Sequence, residues 1–514
     1  MPNVKRLNPI MSSFSHILRI GTLLFLILFL YPSPPVHAFD LKAPVTEHTL
    51  SNGLKIIMME RHASPTVSIH MRYKVGAVDE VTGQTGVAHV LEHMLFKGTK
   101  RLGTKDYEKE KPLLEEIEKV GEALDREEMK GAAKDPKKAE SLRARLKEVS
   151  AEHKKLVESE VYSRYYQKHG GVGFNAGTSN DGTVYIINLP SHKLELWANI
   201  ESDRMENPVL REYYTERDVI LEERRMRVDD SPEGVLNEQF LAAAFTAHPY
   251  KAPVIGWASD IRFLSKKDTE KFLKTFYAPN NAVVAMVGDI VPANVIALME
   301  RYFGHIPSQD LPPPLSTREP EQKGERRIEV EFDAEPMMLI GYHRPTLPHK
   351  DDYVFDVIHS ILSNGRASRL FKSLVQEKKL AVSADTFDTP GSRYPNLFTF
   401  SGVPRHPHTA QEVEEAFYEE IEKLKKEPVS PKELQKVLNE IEAHFIRGLG
   451  SNSGMASLIS YFESIAGDWR YFLKLPEEIG KVTAADVMRV ANQYLVKNNR
   501  TVAVLMKKKE EKVP

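Results

Sequence analysis

Apolar and polar positions alternate at Val67, Ile69, Met71 and Tyr73, and again at Ile328, Val330 and Phe332 and at Met338 and Ile340. That two-residue period predicts strands with one face turned to a core. At Val87, Val90, Leu91, Met94 and Leu95 the apolar positions recur at i, i+3, i+4, i+7 and i+8, which predicts a helix with one buried stripe. Two apolar runs, Ala282 to Val287 and Thr501 to Met506, are entered through similar turns, Tyr277-Ala-Pro-Asn280-Asn281 and Tyr494-Leu-Val-Lys-Asn498-Asn499. The likeness points to an internal duplication. A polar, Pro-rich stretch over 308–326 separates the halves, so the chain reads as two α+β domains, 39–307 and 327–510. Within the first, residues 108–160 are dense in charge. Leu113, Leu114, Ile117, Val120 and Leu124, then Leu142, Leu146, Val149 and Leu156, fall at helical spacing, interrupted near Gly131 and Pro136. This predicts an antiparallel helical hairpin whose seam is satisfied internally, hence a peripheral insertion.

Residues 1–38 carry Lys5, Arg6 and Arg19, no acid, an apolar run Ile20 to Tyr31, and a Val36-His37-Ala38 ending. They read as a secretory signal peptide cleaved before Phe39, the run being shorter than the ~20 residues of a spanning helix. The expected protein is exported, periplasmic in a Gram-negative cell, with no stable membrane span once the signal is removed.

The 514 residues include 70 basic and 72 acidic side chains, which gives no electrostatic case for nucleic acid as a partner. Cysteine is absent, so disulfides, thiol nucleophiles and Cys-ligated zinc are excluded. His and carboxylates remain as strong metal ligands.

His89, Glu92 and His93 lie on the face opposite the apolar stripe of the Val87 helix. His89 and His93 are one turn apart, so both imidazoles can converge on one ion, with Glu92 beside them. Two neutral nitrogen ligands and a carboxylate base are what a catalytic zinc requires. A third ligand is sought in the helical stretch Glu216 to Glu223. Glu216 and Glu223 are two turns apart and share a face with Val219 and Ile220, while Glu222 points elsewhere. Glu223 is the expected ligand and Glu216 the carboxylate that orients an imidazole. The Gly-rich segment from Gly170 to Tyr185 reads as strand. A free edge there could pair with an extended peptide, and an ordinary hairpin fits the residues equally well.

His89-Val-Leu-Glu92-His93-Met-Leu-Phe96-Lys-Gly98-Thr99, Asn175-Ala-x-Thr178-x-x-Asp181-x-Thr183-x-Tyr185, Glu216 to Glu223, His248-Pro-Tyr250, Pro253 to Trp257 and Asn280 to Asp289 together resemble the pitrilysin/insulinase family. These inverted-motif zinc metallopeptidases include the mitochondrial processing peptidase and bacterial homologues. The resemblance implies two homologous domains, each a mixed or antiparallel sheet with helices packed on it, forming half of a clamshell. It implies one zinc per chain held by His89, His93 and Glu223, with Glu92 as the base. The strand at Asn175 and Ala176 would bind a peptide or unfolded polypeptide. Two departures stand out. His93 and Glu223 are further apart in sequence than is usual in the family, the charged hairpin accounting for the excess. Active members also carry an Arg and, seven residues on, a Tyr in the second domain, where this chain has Val375 and Val382. A homologous partner subunit is therefore expected to supply the Arg and Tyr. The reading is an exported zinc endopeptidase subunit, with a non-catalytic scaffold or peptide-binding subunit as the alternative.

Overall fold

The computed structural model describes residues 44–507; the expected signal segment 1–38 lies outside them. The first half builds a six-stranded sheet from β1 (Val45–Thr49), β2 (Lys55–Glu60), β3 (Thr66–Tyr73), β4 (Val172–Thr178), β5 (Thr183–Pro190) and β6 (Ala282–Gly288), in the order β1-β2-β6-β3-β5-β4. The second half builds five strands, β7 (Arg326–Phe332), β8 (Met337–Arg344), β9 (Ala381–Thr389), β10 (Asn396–Pro404) and β11 (Arg500–Lys507), in the order β7-β11-β8-β10-β9. With β1 set aside, the two orders are the same. The pairs β2–β6 and β7–β11 are both parallel while their neighbours are antiparallel. The duplication glimpsed in two turns is thus a repeat of topology. The fold is α+β, two repeats of one sheet topology with helices packed on them.

The helices that bear on the site are α1 (Val87–Met94), α2 (Tyr107–Glu128), α3 (Pro136–Lys154), α4 (Val161–Lys168), α5 (Tyr213–Arg224), α6 (Pro232–Ala244) and α7 (Asn452–Ile465). Strand β6 is buried at every position, so its sheet needs a cover on both faces. Helix α1 and its neighbours supply one cover. The other is α7, from the second half, with Glu463 Oε1 2.9 Å from Lys55 Nζ and Arg72 over the Tyr461 ring. The exchange is mutual. Helix α6 of the first half lies on the second sheet, where Phe240 fills the space above Gly341; a Cβ there would stand 2.5 Å from the ring. The stretch 308–325 has no regular structure, its last expected residue, Arg326, instead opening β7, but it is anchored, since Glu319 accepts from the backbone N–H groups of Thr246, Ala247 and His248.

The charged segment does fold as two helices, α2 and α3, broken where Gly131 and Pro136 stand. It is not, however, the self-contained arm that its seam predicts. Glu110 and Arg211, both without solvent exposure, meet at 2.6 and 3.0 Å, and Arg211 also donates to the carbonyls of Thr99, Lys97 and Leu102. Further along α2, Asp125 accepts both guanidinium NH2 groups of Arg217 at 2.7 and 2.8 Å. Tyr214 rests on Gly121, where a Cβ would come within 2.1 Å of the ring. Helix α2 is therefore docked on α5 and the loop before it. Charge read as a solvated face is in part buried and paired.

Candidate metal centre

Helix α1 starts under tight constraint. The Glu80 carboxylate accepts from the N–H groups of Gly86 and Ala88, each at 2.8 Å, and so satisfies donors that the first turn leaves free. Gly86 and Gly256 both have φ near +88°, and each closes so tightly on the other's segment that a Cβ on either would strike a carbonyl at 2.4 to 2.5 Å. The Pro253–Trp257 segment is thereby seated against the helix start.

The stripe Val87, Val90, Leu91 and Met94 is buried as expected, but the opposite face is covered as well, since α5 and β4 close over it and His89 and Glu92 are each 9 % exposed. His89 Nε2 and His93 Nε2 lie 3.8 and 3.5 Å from Glu223 Oε2. Among the described residues these three form a group whose donor atoms all fall within 4.8 Å of one another. Two donors on one tetrahedral zinc, each at ~2.1 Å, stand roughly 3.4 Å apart. The set fits that ion. His93 Nδ1 is 2.9 Å from Glu216 Oε1, which leaves Nε2 to face the other donors, and Lys97 Nζ lies 2.5 Å from the second oxygen of Glu216. Burial opposes charge on Glu216, yet its bonds to His93 and Lys97 outweigh it and hold the carboxyl at about 2. Burial, with His93 and Arg227 nearby, pushes His89 down to about 3, so its imidazole is neutral at physiological pH and its lone pair is available.

Glu92 turns from α1 toward the end of β4, where Thr178 Oγ1 donates to its Oε2 at 2.7 Å. Burial pushes its carboxyl up, more than the Thr178 bond lowers it. Strand β4 is the outermost strand of the first sheet, and its partner β5 lies on one side. Asn175 and Ala176 thus belong to an edge, and with Thr178 they border a cavity of about 1070 Å³ that reaches His89, Glu92, His93 and Glu223. Across it stand Val219 and Met226, 48 % and 58 % exposed. Here the helical phase misleads: Ile220 is fully buried, but Val219 looks into the cavity. A second cavity, about 470 Å³, opens on the other side of Glu92 and His93, bordered by Phe96, Tyr162, Glu158 and Glu160. Glu222 borders the same cavity but pairs with Arg225 and is not among the converging donors. In the second half Val375 packs against the core and Val382 is 58 % exposed on β9, so neither offers a polar group. Glu80, Thr178 and Arg211 have no role in the sequence reading. Their partners lie up to 114 residues away or sit in an irregular turn, and no periodicity marks them.

The sequence profile described as Insulinase (Peptidase family M16) matches residues 55–130 and 154–257, and the profile described as Peptidase M16 inactive domain matches 264–441. The chain belongs to the pitrilysin/insulinase (M16) family. The "inactive" profile falls mostly on the second half, whereas the converging His and Glu residues lie in the first. Residues 131–153, nearly all of α3 with the turn before it, fall outside the match, whereas α2 up to residue 130 falls within it. Similar proteins include Zinc protease PqqE of Helicobacter pylori, 28% identical over 89% of this chain and 92% of that protein. An uncharacterized zinc protease of Mycobacterium leprae is 25% identical over 88% and 90%. Among solved structures, a protease from Helicobacter pylori superposes with a TM-score of 0.76 at 28% identity, over 90% of this chain and all of that one. The first half of the periplasmic protease PqqL from Escherichia coli gives 0.66 at 16% identity over 90% and 92%, and shows the shared fold. The complete PqqL is matched over 48% of its length.

Proposed function

We propose that this chain is an exported zinc endopeptidase subunit that hydrolyses peptides or unfolded polypeptide segments. The observation that carries the reading is the convergence of His89, His93 and Glu223 with Glu92 beside them and a free strand edge across the cavity. Zinc held by the three ligands supplies a Lewis acid that acidifies water toward neutral pH. Glu92, oriented by Thr178 and raised in pKa by burial, takes the proton and returns it to the leaving amine. A substrate strand pairs with the outer edge of β4 at Asn175 and Ala176, so backbone hydrogen bonds bind it with little regard to sequence. The names of the zinc protease relatives support this chemistry.

With Val375 and Val382 where active relatives carry the Arg and Tyr, the second half does not supply that pair of donors to steady the oxyanion opposite the zinc. Loss of one such donor costs ~10²- to 10³-fold in rate. A homologous subunit that keeps the Arg and Tyr supplies them, in a clamshell of two such chains. That this chain matches one half of PqqL supports such pairing. Export through residues 1–38 places the enzyme in the periplasm of a Gram-negative cell. Among the described residues no helix is long and apolar enough to cross a membrane.

The test is reconstitution. The mature chain alone should bind zinc and cleave an unfolded polypeptide poorly; mixed with the homologous subunit it should cleave efficiently. Efficient cleavage by the isolated chain overturns the division of labour, and absence of zinc from both preparations overturns the peptidase reading.

A further inference from the structure

Asp181 and Tyr250 belong to the motifs that mark the family, yet neither touches the candidate metal centre. Asp181 is 4 % exposed and Tyr250 is fully buried. The Tyr250 hydroxyl donates to Asp181 Oδ1 at 2.5 Å. Asp181 Oδ2 accepts from the backbone N–H groups of Ser392 and Arg393, at 2.5 and 3.1 Å, in the β9–β10 loop of the second half. The Arg393 guanidinium returns to the Asp181 carbonyl at 2.5 Å, and Asn180 Nδ2 donates to the carbonyl of Pro390 at 3.0 Å. Gly391 leaves room for nothing else, since a Cβ would lie 2.5 Å from both the Asp181 carboxylate and the Tyr250 hydroxyl.

These contacts grip the turn that joins β4 to β5. On its other side the turn is bonded to the first half, with Ala77 and Val78 N–H donating to the carbonyls of Ser179 and Asn180. Three residues before Asp181 stands Thr178, the last residue of the edge strand and the donor to Glu92. A buried carboxylate that accepts three hydrogen bonds defines its position sharply, and the backbone it sits on moves with it.

We propose that Asp181, Tyr250 and Arg393 are positioning residues: through this clamp the second half, which holds no ligand of the candidate metal centre, fixes Thr178 and thereby the orientation of Glu92 and of the strand edge. The inference rests on the reading of Glu92 as the base. It makes the second domain a determinant of catalysis independent of any Arg/Tyr pair.

The test uses the zinc-loaded complex of the full mature chain with its partner subunit. Asp181→Asn, and as a milder variant Tyr250→Phe, are compared with Glu463→Gln, which weakens a different contact between the halves, the Lys55 pair. Hydrogen–deuterium exchange over residues 174–183 and kcat and KM for an unfolded polypeptide are measured, with zinc content as a control. Asp181→Asn should raise exchange in this segment and lower kcat by on the order of tenfold with zinc retained. Glu463→Gln should do neither. Thr178→Val should lower kcat similarly, Thr178→Ser should keep it, and Asp181→Asn added to Thr178→Val should cost nothing further, because both act on one interaction. Additive losses, loss of zinc from Asp181→Asn and Tyr250→Phe alike, or exchange no faster than in Glu463→Gln would overturn the proposal. If the wild-type complex cleaves nothing, the peptidase reading falls, while the exchange data still decide whether the clamp holds the strand.

Discussion

Glu216 Oε1 lies 2.9 Å from His93 Nδ1, so the carboxylate two turns before Glu223 on the same helix orients one ring while Glu223 faces both. A single helix, α5, thus presents both the proposed ligand Glu223 and the carboxylate that orients a second proposed ligand, His93. Partners of this kind typically contribute 10- to 100-fold in metal affinity. Glu216→Ala should weaken zinc binding by that factor, measured by competition with a chromophoric chelator, and should leave the fold intact by circular dichroism.

The pair Glu110–Arg211 leads to a stability prediction. Removal of one partner strands the other charge in the interior, at a cost of about 3–5 kcal/mol. Glu110→Ala should lower the midpoint of urea unfolding accordingly, whereas Lys109→Ala, on the exposed side of the same turn, should change it little. Shortening of the protein within the largely exposed stretch 131–138, outside the family match and clear of the buried His153, should cost far less than removal of α2.

The same pair sets a pH dependence. Burial opposes the charge of Glu110, but hydrogen bonds from His153 and Arg211 outweigh it and hold the carboxyl below its ordinary value. A group with a depressed folded pKa contributes stability that is fully present above the unfolded value, ~4.3, and is lost as pH falls through the folded value. The wild type should therefore lose thermal stability below about pH 4 more steeply than Glu110→Gln, as followed by calorimetry.

Val219 and Met226 form an apolar wall opposite the strand edge. Met226→Glu should lower kcat/KM by roughly 10- to 100-fold for peptides with a large apolar residue next to the scissile bond. It should affect peptides with a small polar residue there much less, and zinc content should not change. A set of quenched fluorescent peptides that differ at that one position reads the contrast.

How much of this was legible in the chain follows from the range of each interaction. His89, Glu92 and His93 stand within five residues on a helix whose phase the apolar stripe declares, and the structure turns the three toward one cavity. Glu223 stands on a second helix, where its phase with Glu216 brings it within 3.8 Å of both imidazoles, though Val219 on the same face serves the cavity rather than the core. The strands followed from two-residue alternation. The mutual exchange of α6 and α7 did not, because each helix carries an apolar face that says nothing about which sheet it covers. The docking of α2 was hidden for a related reason: Glu110, Asp125, Arg211 and Arg217 read as solvated charge until the pairing partners meet. Thr178 ends the edge strand and Asp181 sits in the turn that follows it, and their side-chain contacts come from residues 69 to 212 positions away.

Glu92 gives the most direct test of the account, because it is the one group at the centre assigned to proton transfer and not to the metal. Zinc content by mass spectrometry and cleavage of an unfolded polypeptide are measured for the wild-type complex and for Glu92→Gln. The account predicts about one zinc per chain in both and cleavage by the wild type alone, with a loss of at least ~10²-fold in the variant. Undiminished cleavage by Glu92→Gln would contradict it.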